Sequence, residues 1–171
     1  MSICIRRLTP EDENQFILDN QYAFRYGAQQ YFNAEEMEEQ YEEEGEIISR
    51  ETIVNSIHDE GSTAYRIFDD DKPVGGIVVR IDGNKGDLEL LFVLPECHSK
   101  GIGQQAWHWI ERMYPQVKTW ETCTPAFEKR NIHFYVNKLG FHIVEYFNKY
   151  HKSQLNDDEL DEMYRFVKRL D

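Results

Sequence analysis

The chain has 171 residues, 40% of them hydrophobic and 13% aromatic, enough for a single domain (1–171) with its own core and too apolar for a disordered segment. Its formal net charge of −13 excludes nucleic acid as a main partner, because phosphate binding needs a basic face. Three scattered cysteines, Cys4, Cys97 and Cys123, with no C-x-x-C pair, exclude a disulfide framework and a cysteine-based zinc cluster, and fit a reducing cytoplasm.

Taken in chain order, Ser2 to Arg7 reads as a short strand. "TPED" then starts a helix: Thr9 is placed to cap it, Pro10 suits the first helical position and the acids suit the first turn, with the helix expected to end at about Asn20. Asn33 with Glu36 three residues on forms a capping box for a second helix, and Ser49 opens a third, with Ile53, Val54 and Ile57 at helical spacing. Thr63–Asp69, Val74–Asp82 and Asp87–Leu94, separated by the turns "DDKP" and "GNKG", predict an antiparallel meander. Ile102, Ala106, Trp109, Ile110 and Met113 make one face of a helix that Pro115 stops. A strand over Lys118–Cys123 and a helix over Asn131–Leu139 follow, the latter closed by Gly140 and Phe141 as a C-terminal cap. Two strands, about His142–Asn148 and Met163–Leu170, finish an α+β chain with no repeat and no linker. No apolar run approaches the roughly 20 residues that cross a bilayer, and the first residues lack the apolar core of a signal peptide, so a cytoplasmic protein without a membrane partner is expected.

The chemistry starts at "HSKGIGQQA", where Gly101 and Gly103 lie between a strand and a helix. Glycines let the backbone approach a bound group, and a helix N-terminus offers free N–H groups and partial positive charge, so the loop can wrap an anion or simply turn the chain. It is not a Walker loop, and it lacks the third glycine and the βαβ setting of a dinucleotide fingerprint.

The stretch "LFVLPECHSKGIGQQA", followed later by "NIHFYVNKLGF", resembles the acetyl-CoA-binding core of the GNAT superfamily of N-acyltransferases. Val93, Pro95, Gly101 and Gly103 match the first half of that pattern, and Asn131, Phe134, Tyr135, Gly140 and Phe141 the second. The resemblance implies a GNAT-like fold: a central, mostly antiparallel twisted sheet of about seven strands flanked by helices. It implies acetyl transfer from acetyl-CoA to a primary amine by direct attack, with no metal. It places the pantetheine arm against the backbone of Phe92, Val93 and Leu94. The pyrophosphate falls on the amides from Ser99 through Lys100, Gly101, Ile102 and Gly103 to Gln104. His98 stands where the family has Gln or Arg, which weakens the side-chain contact expected there, and Lys100 is a nearby source of charge. Asn131 is either a pantetheine contact or the cap of its helix.

Tyr135 matches the family's usual proton donor, a phenol that stays protonated at neutral pH with a pKa near ~10. Glu89, in "DLELLFV", is the candidate general base. Strand alternation puts it with Leu91 and Val93 on one face and Leu88, Leu90 and Phe92 on the other. Asp87 and Glu121 are the fallback carboxylates, and water is the further option. No two of the six histidines have ligand-like spacing, so no metal is expected.

The acceptor is a small-molecule amine that the sequence does not name. The acidic runs Glu35–Glu46 and Asp157–Glu162 read either as solvated surface or as a negative rim that favours a cation such as a polyamine or aminoglycoside. A homodimer is compatible with the sequence. The alternative to an enzyme is a non-catalytic acyl-CoA-binding sensor or an interaction domain on the same fold.

Overall fold

The structure, a computed structural model, describes residues 1–153 and 162–171. Seven strands are present: β1 (Ile3–Arg7), β2 (Ser62–Asp69), β3 (Lys72–Asp82), β4 (Lys85–Val93), β5 (Thr119–Pro125), β6 (His142–Phe147) and β7 (Met163–Arg169). They form one sheet in the order β1-β2-β3-β4-β5-β7-β6. The meander β2–β3–β4 is antiparallel as predicted, and β4–β5 is the one parallel pairing in that order.

Helices cover the sheet. α1 (Glu13–Gln29), α2 (Ala34–Glu39) and α3 (Arg50–His58) precede the meander, and α4 (Ile102–Met113) and α5 (Lys129–His133) follow it. The capping box at Asn33 and the Ser49 cap form as expected, Asn33 Oδ1 accepting from Glu36 N–H at 2.9 Å and Ser49 Oγ from Thr52 N–H at 3.0 Å. Thr9 does not cap: Pro10–Asp12 is a separate 3-10 turn, and Asp12 N–H bonds to the Thr9 carbonyl at 3.1 Å. α1 runs to Gln29 rather than Asn20. Beyond Asn20 the small residues Ala23 and Ala28 keep the inner stripe going, while Tyr22 and Tyr26 sit outside it and are exposed. Buried Arg66 of β2 ties α1 to the sheet through Asp12 at 2.9 Å and Asp19 at 2.5 Å.

The inner face of α4 differs from the expected one. Trp107 is fully buried, whereas Trp109 and Met113 are 36% and 43% exposed. The stripe Ile102, Ala106, Trp107, Ile110 leans to the other side of the helix, because Trp107 stacks edge-on against Trp120 at 4.9 Å. Trp109 lies at the rim and donates its indole N–H to the Ile3 carbonyl at 3.0 Å.

Two irregularities in the sheet position the site. The register passes from Val78↔Leu90 to Val79↔Leu88, which leaves Glu89 as the extra residue of a β-bulge. The bulge overturns the simple alternation read along β4. Leu88 packs in the cluster with Trp107 and Trp120, while Leu90 and Phe92 pack in the cluster under α1 with Phe16. The second irregularity is the short β4–β5 ladder, which joins Lys85–Asp87 to Thr119–Glu121 and then ends. At the next position a side chain takes over: Thr122 Oγ1 donates to the Leu88 carbonyl at 3.0 Å. Trp120 crosses this seam over Gly86, where an added Cβ would lie 2.4 Å from the indole.

Candidate active site

Past Leu88 the pairing of β4 with β5 ends, and a cleft of about 450 Å³ opens along the end of β4, within the usual range for small-molecule sites. Leu91–Val93 form one wall, α5 and its continuation another, and the C-terminal half of α1 with the residues just after it, from Ala23 to Tyr31, a third. The loop leading into α4 closes one end. Ser99 and Gly101 both have left-handed backbones, with φ of 64° and 74°. They turn the chain so that the first amides of α4, which have no intrahelical partner, begin at the cleft. A Cβ at Gly101 would meet nothing within 4 Å, so its requirement is conformational. Gly103 is a matter of space: a Cβ there would sit 3.0 Å from the Phe134 ring.

All the positions read from the sequence as cofactor-binding line this cleft except Leu94 and Lys100. Leu94 is buried with Cys97, Ile102 and Ala106 beneath α4. Asn131 lines the cleft but is not a cap. α5 starts at Lys129 after Glu128, earlier than expected, and Asn131 Nδ2 reaches Thr124 Oγ1 at 3.4 Å. After His133 the helix widens into a π turn over Phe134–Lys138, a form often found at functional sites. Gly140, with φ of 83°, and the Phe141 N–H bonded to the Tyr135 carbonyl at 2.9 Å close it as predicted.

The π turn presents Tyr135 at the inner end of the cleft. Its ring packs on Phe141 and Phe166, and Thr122, the residue that bridges the seam, lies beside its hydroxyl. Burial raises the phenol to about 12, so the group holds its proton at neutral pH.

The carboxylates separate into three places. Glu89 sits at the bulge, 26% exposed and 3.3 Å from Arg80, and does not line the cleft. Burial raises its pKa against the pull of Arg80. Asp87 pairs with the same arginine at 3.1 Å, and Glu121 with Arg165 at 2.9 Å. The carboxyl in the cleft itself is Glu128, unmarked by any motif. It faces Gly27 of α1, where an added Cβ would lie 3.5 Å from the carboxylate, and burial raises it to about 7 against the opposing charge of Arg130.

Sequence reasoning also missed the α1 wall and Arg130. The small pair Ala23 and Gly27 on an aromatic helix was the available signal for the wall. Of the acidic run Glu35–Glu46, no residue lines the cleft. Glu43 binds Gln21 at 2.7 Å and Glu46 binds Arg25 at 2.5 Å, while Glu42 bonds to Ser49 and Thr52. The second run, Asp157–Glu162, lies outside the described residues apart from Glu162.

Residues 22–141 match the model of the acetyltransferase (GNAT) family. The uncharacterized protein YrkN of Bacillus subtilis (strain 168) is 48% identical over 141 residues, covering 74% of this chain and 75% of YrkN. In fold, the chain is similar to the PaiA N-acetyltransferase of Thermoplasma acidophilum, solved with coenzyme A. That likeness has a TM-score of 0.69 and 22% identity, over 99% of this chain and all of that one. It is also similar to Arabidopsis thaliana Naa50, solved with the bisubstrate analogue CoA-Ac-MVNAL, with a TM-score of 0.66 and 16% identity over 99% and 100% of the two chains. With the early end of the β4–β5 pairing, the left-handed loop and the family match in agreement, the chain belongs to the GNAT family of acetyltransferases.

Proposed function

We propose that the protein transfers the acetyl group of acetyl-CoA to the amine of a small molecule. The observation that carries this reading is the unpaired end of β4 facing Tyr135 across a cleft that closes on the left-handed loop before α4. The residues present fit the cosubstrate: a strand edge with free backbone groups for an amide-bearing arm, and free amides at a helix N-terminus for phosphates. Bound acetyl-CoA supplies an activated thioester carbonyl. The side chains do the proton work. A carboxylate takes the proton that the amine must lose as its nitrogen bonds to the acetyl carbon, and Tyr135 O–H donates to the sulfur as the C–S bond breaks. Glu128 stands in the cleft for the first task, and Glu89, at the bulge outside the cleft lining, is the carboxylate that would have to act through water.

In Naa50 the analogue carries a peptide, and a structural neighbour built from Vibrio cholerae SpeG and hSSAT is a spermidine N-acetyltransferase, so acceptors vary on this fold. The first acidic run lies outside the cleft lining, which favours an acceptor chosen by the cleft walls over one drawn in by surface charge.

The test is a melting series with acetyl-CoA, followed by thiol release with a panel of amines. A ligand at 100 times its Kd adds about 2.7 kcal/mol, which a melting shift reads directly. Absence of any shift at millimolar acetyl-CoA sinks the proposal. A shift with no turnover on any amine identifies an acyl-CoA-binding module instead.

A further inference from the structure

In the resemblance that the sequence carries, the first side chain of the phosphate loop is Gln or Arg, and this chain has His98. The structure shows where the imidazole is committed. Its Nε2–H donates to the Val93 carbonyl at 2.9 Å, and its Nδ1 accepts from the Arg130 guanidinium. The ring also packs edge-on against Tyr26 of α1 at 6.0 Å. Only the neutral Nε2–H tautomer makes both bonds, and it leaves no N–H for a phosphate. Burial and the Arg130 charge both lower the His98 pKa, in keeping with a neutral ring.

Arg130 is in the opposite condition. It is exposed and lines the cleft with Ser99 and Gly101, and its backbone N–H is held by Tyr31 Oη at 3.0 Å. Arg25, Arg66, Arg80 and Arg165 are each paired with carboxylates, whereas none pairs with Arg130 among the described residues. With one N–H on His98, the guanidinium keeps four donors at the mouth of the anion loop; its charge reaches Glu128, whose raised pKa it opposes, without an ion-pair contact between the two. Lys138 lines the same cleft, but among the described residues no side-chain bond holds its ammonium, as His98 holds the guanidinium.

We infer that Arg130 supplies the side-chain cation for the phosphates of acetyl-CoA and that His98 is its positioning residue, the work of the family's Gln or Arg being divided between a holder on one wall and a charge from the other. The inference rests on the acetyl-CoA reading above and adds a residue to it.

The test compares binding of acetyl-CoA with binding of S-acetylpantetheine, which has the thioester arm and no phosphates, by calorimetry. Arg130→Gln should weaken acetyl-CoA by about tenfold, the order of one partly exposed charge-assisted contact, and leave S-acetylpantetheine unchanged. His98→Ala should cost nearly as much in the native background and nothing further in Arg130→Gln, since the two form one unit. His98→Gln keeps an acceptor for the guanidinium and a donor for Val93, and should restore most of the loss. Native acetyl-CoA affinity in Arg130→Gln overturns the inference, as do additive losses in the double variant or equal losses for both ligands. If the unaltered protein binds S-acetylpantetheine and acetyl-CoA equally, no cation serves the phosphates and the inference fails. If it binds neither, the acetyl-CoA reading fails beneath it.

Discussion

The two long walls of the cleft are built by different means. The β4–α4 wall works through its backbone: an unpaired strand end, a left-handed loop and the first amides of a helix. The α5 wall works through side chains, with Asn131 and Tyr135 set on a short helix that widens into a π turn and Glu128 and Arg130 at its start. A backbone site tolerates most side chains and fails on conformation. A side-chain site tolerates conformational slack and fails on chemistry. Substitutions on the two walls should therefore break function in distinguishable ways.

The largest effect is expected on the backbone wall. Gly101→Val puts a β-branched residue at φ 74°, so the loop must rearrange although space is free around the Cβ. The acetyl-CoA melting shift should disappear. A normal shift in this variant would show that the loop dihedral is dispensable. On the side-chain wall, Tyr135→Phe should leave that shift in place and lower turnover by roughly one to three decades, at or below the usual loss of a general acid. Unaltered turnover would return Tyr135 to the core as packing only.

A subtler contrast concerns the two carboxylates. With Glu128 raised to about 7, a rate that needs its base form climbs with pH through that value. Glu128→Gln should remove this limb and Glu89→Gln should keep it. The reverse result would assign the base to the bulge. The same shift has a stability sign. The folded chain prefers the protonated carboxyl, so this contribution is complete below the ordinary carboxylate range, near 4.5, and is lost as pH rises through about 7. Glu128→Gln should therefore melt higher than the parent at pH 8, by roughly 2–4 °C for each kcal/mol relieved, and equally near pH 4. The smallest effect belongs to neither wall. Reversing Glu38 and Glu39, exposed and outside the cleft lining, should leave the specificity constant for a dicationic amine within about twofold at low salt. A marked fall would restore the acidic run as a steering surface.

Legibility in the sequence follows the same division. The glycines alone fitted a plain turn as well as an anion loop, and the loop was readable only with the later Asn131–Phe141 segment beside it, whereas the meander was readable because its turns are explicit. The presence of Tyr135 in the cleft was readable through its place in a pattern. Glu89 was placed on the wrong footing because a bulge is one inserted residue, invisible to an alternation rule that assumes period two. Trp107 and Trp109 were exchanged because a helical stripe read from apolar residues alone does not reveal which indole has a partner across the sheet. Glu128 and Arg130 carried no signal, since their meaning comes from α1 and His98, about 100 and 32 positions away in the chain.

The shortness of the β4–β5 ladder has a mechanical consequence. Three residue pairs, the Lys118 and Thr119 N–H bonds to the Asn84 carbonyl and the Thr122 side-chain bond stitch a four-stranded half-sheet to a three-stranded one, reinforced on one face by Trp120 over Gly86. Opening this seam breaks few amide bonds, so the β5–β7–β6 unit should exchange its hydrogens by a lower-energy excursion than the meander does. A cosubstrate lying along the seam then acts as a suture between the halves. Its signature is slowed exchange across β5 and β7, including amides that no ligand atom touches.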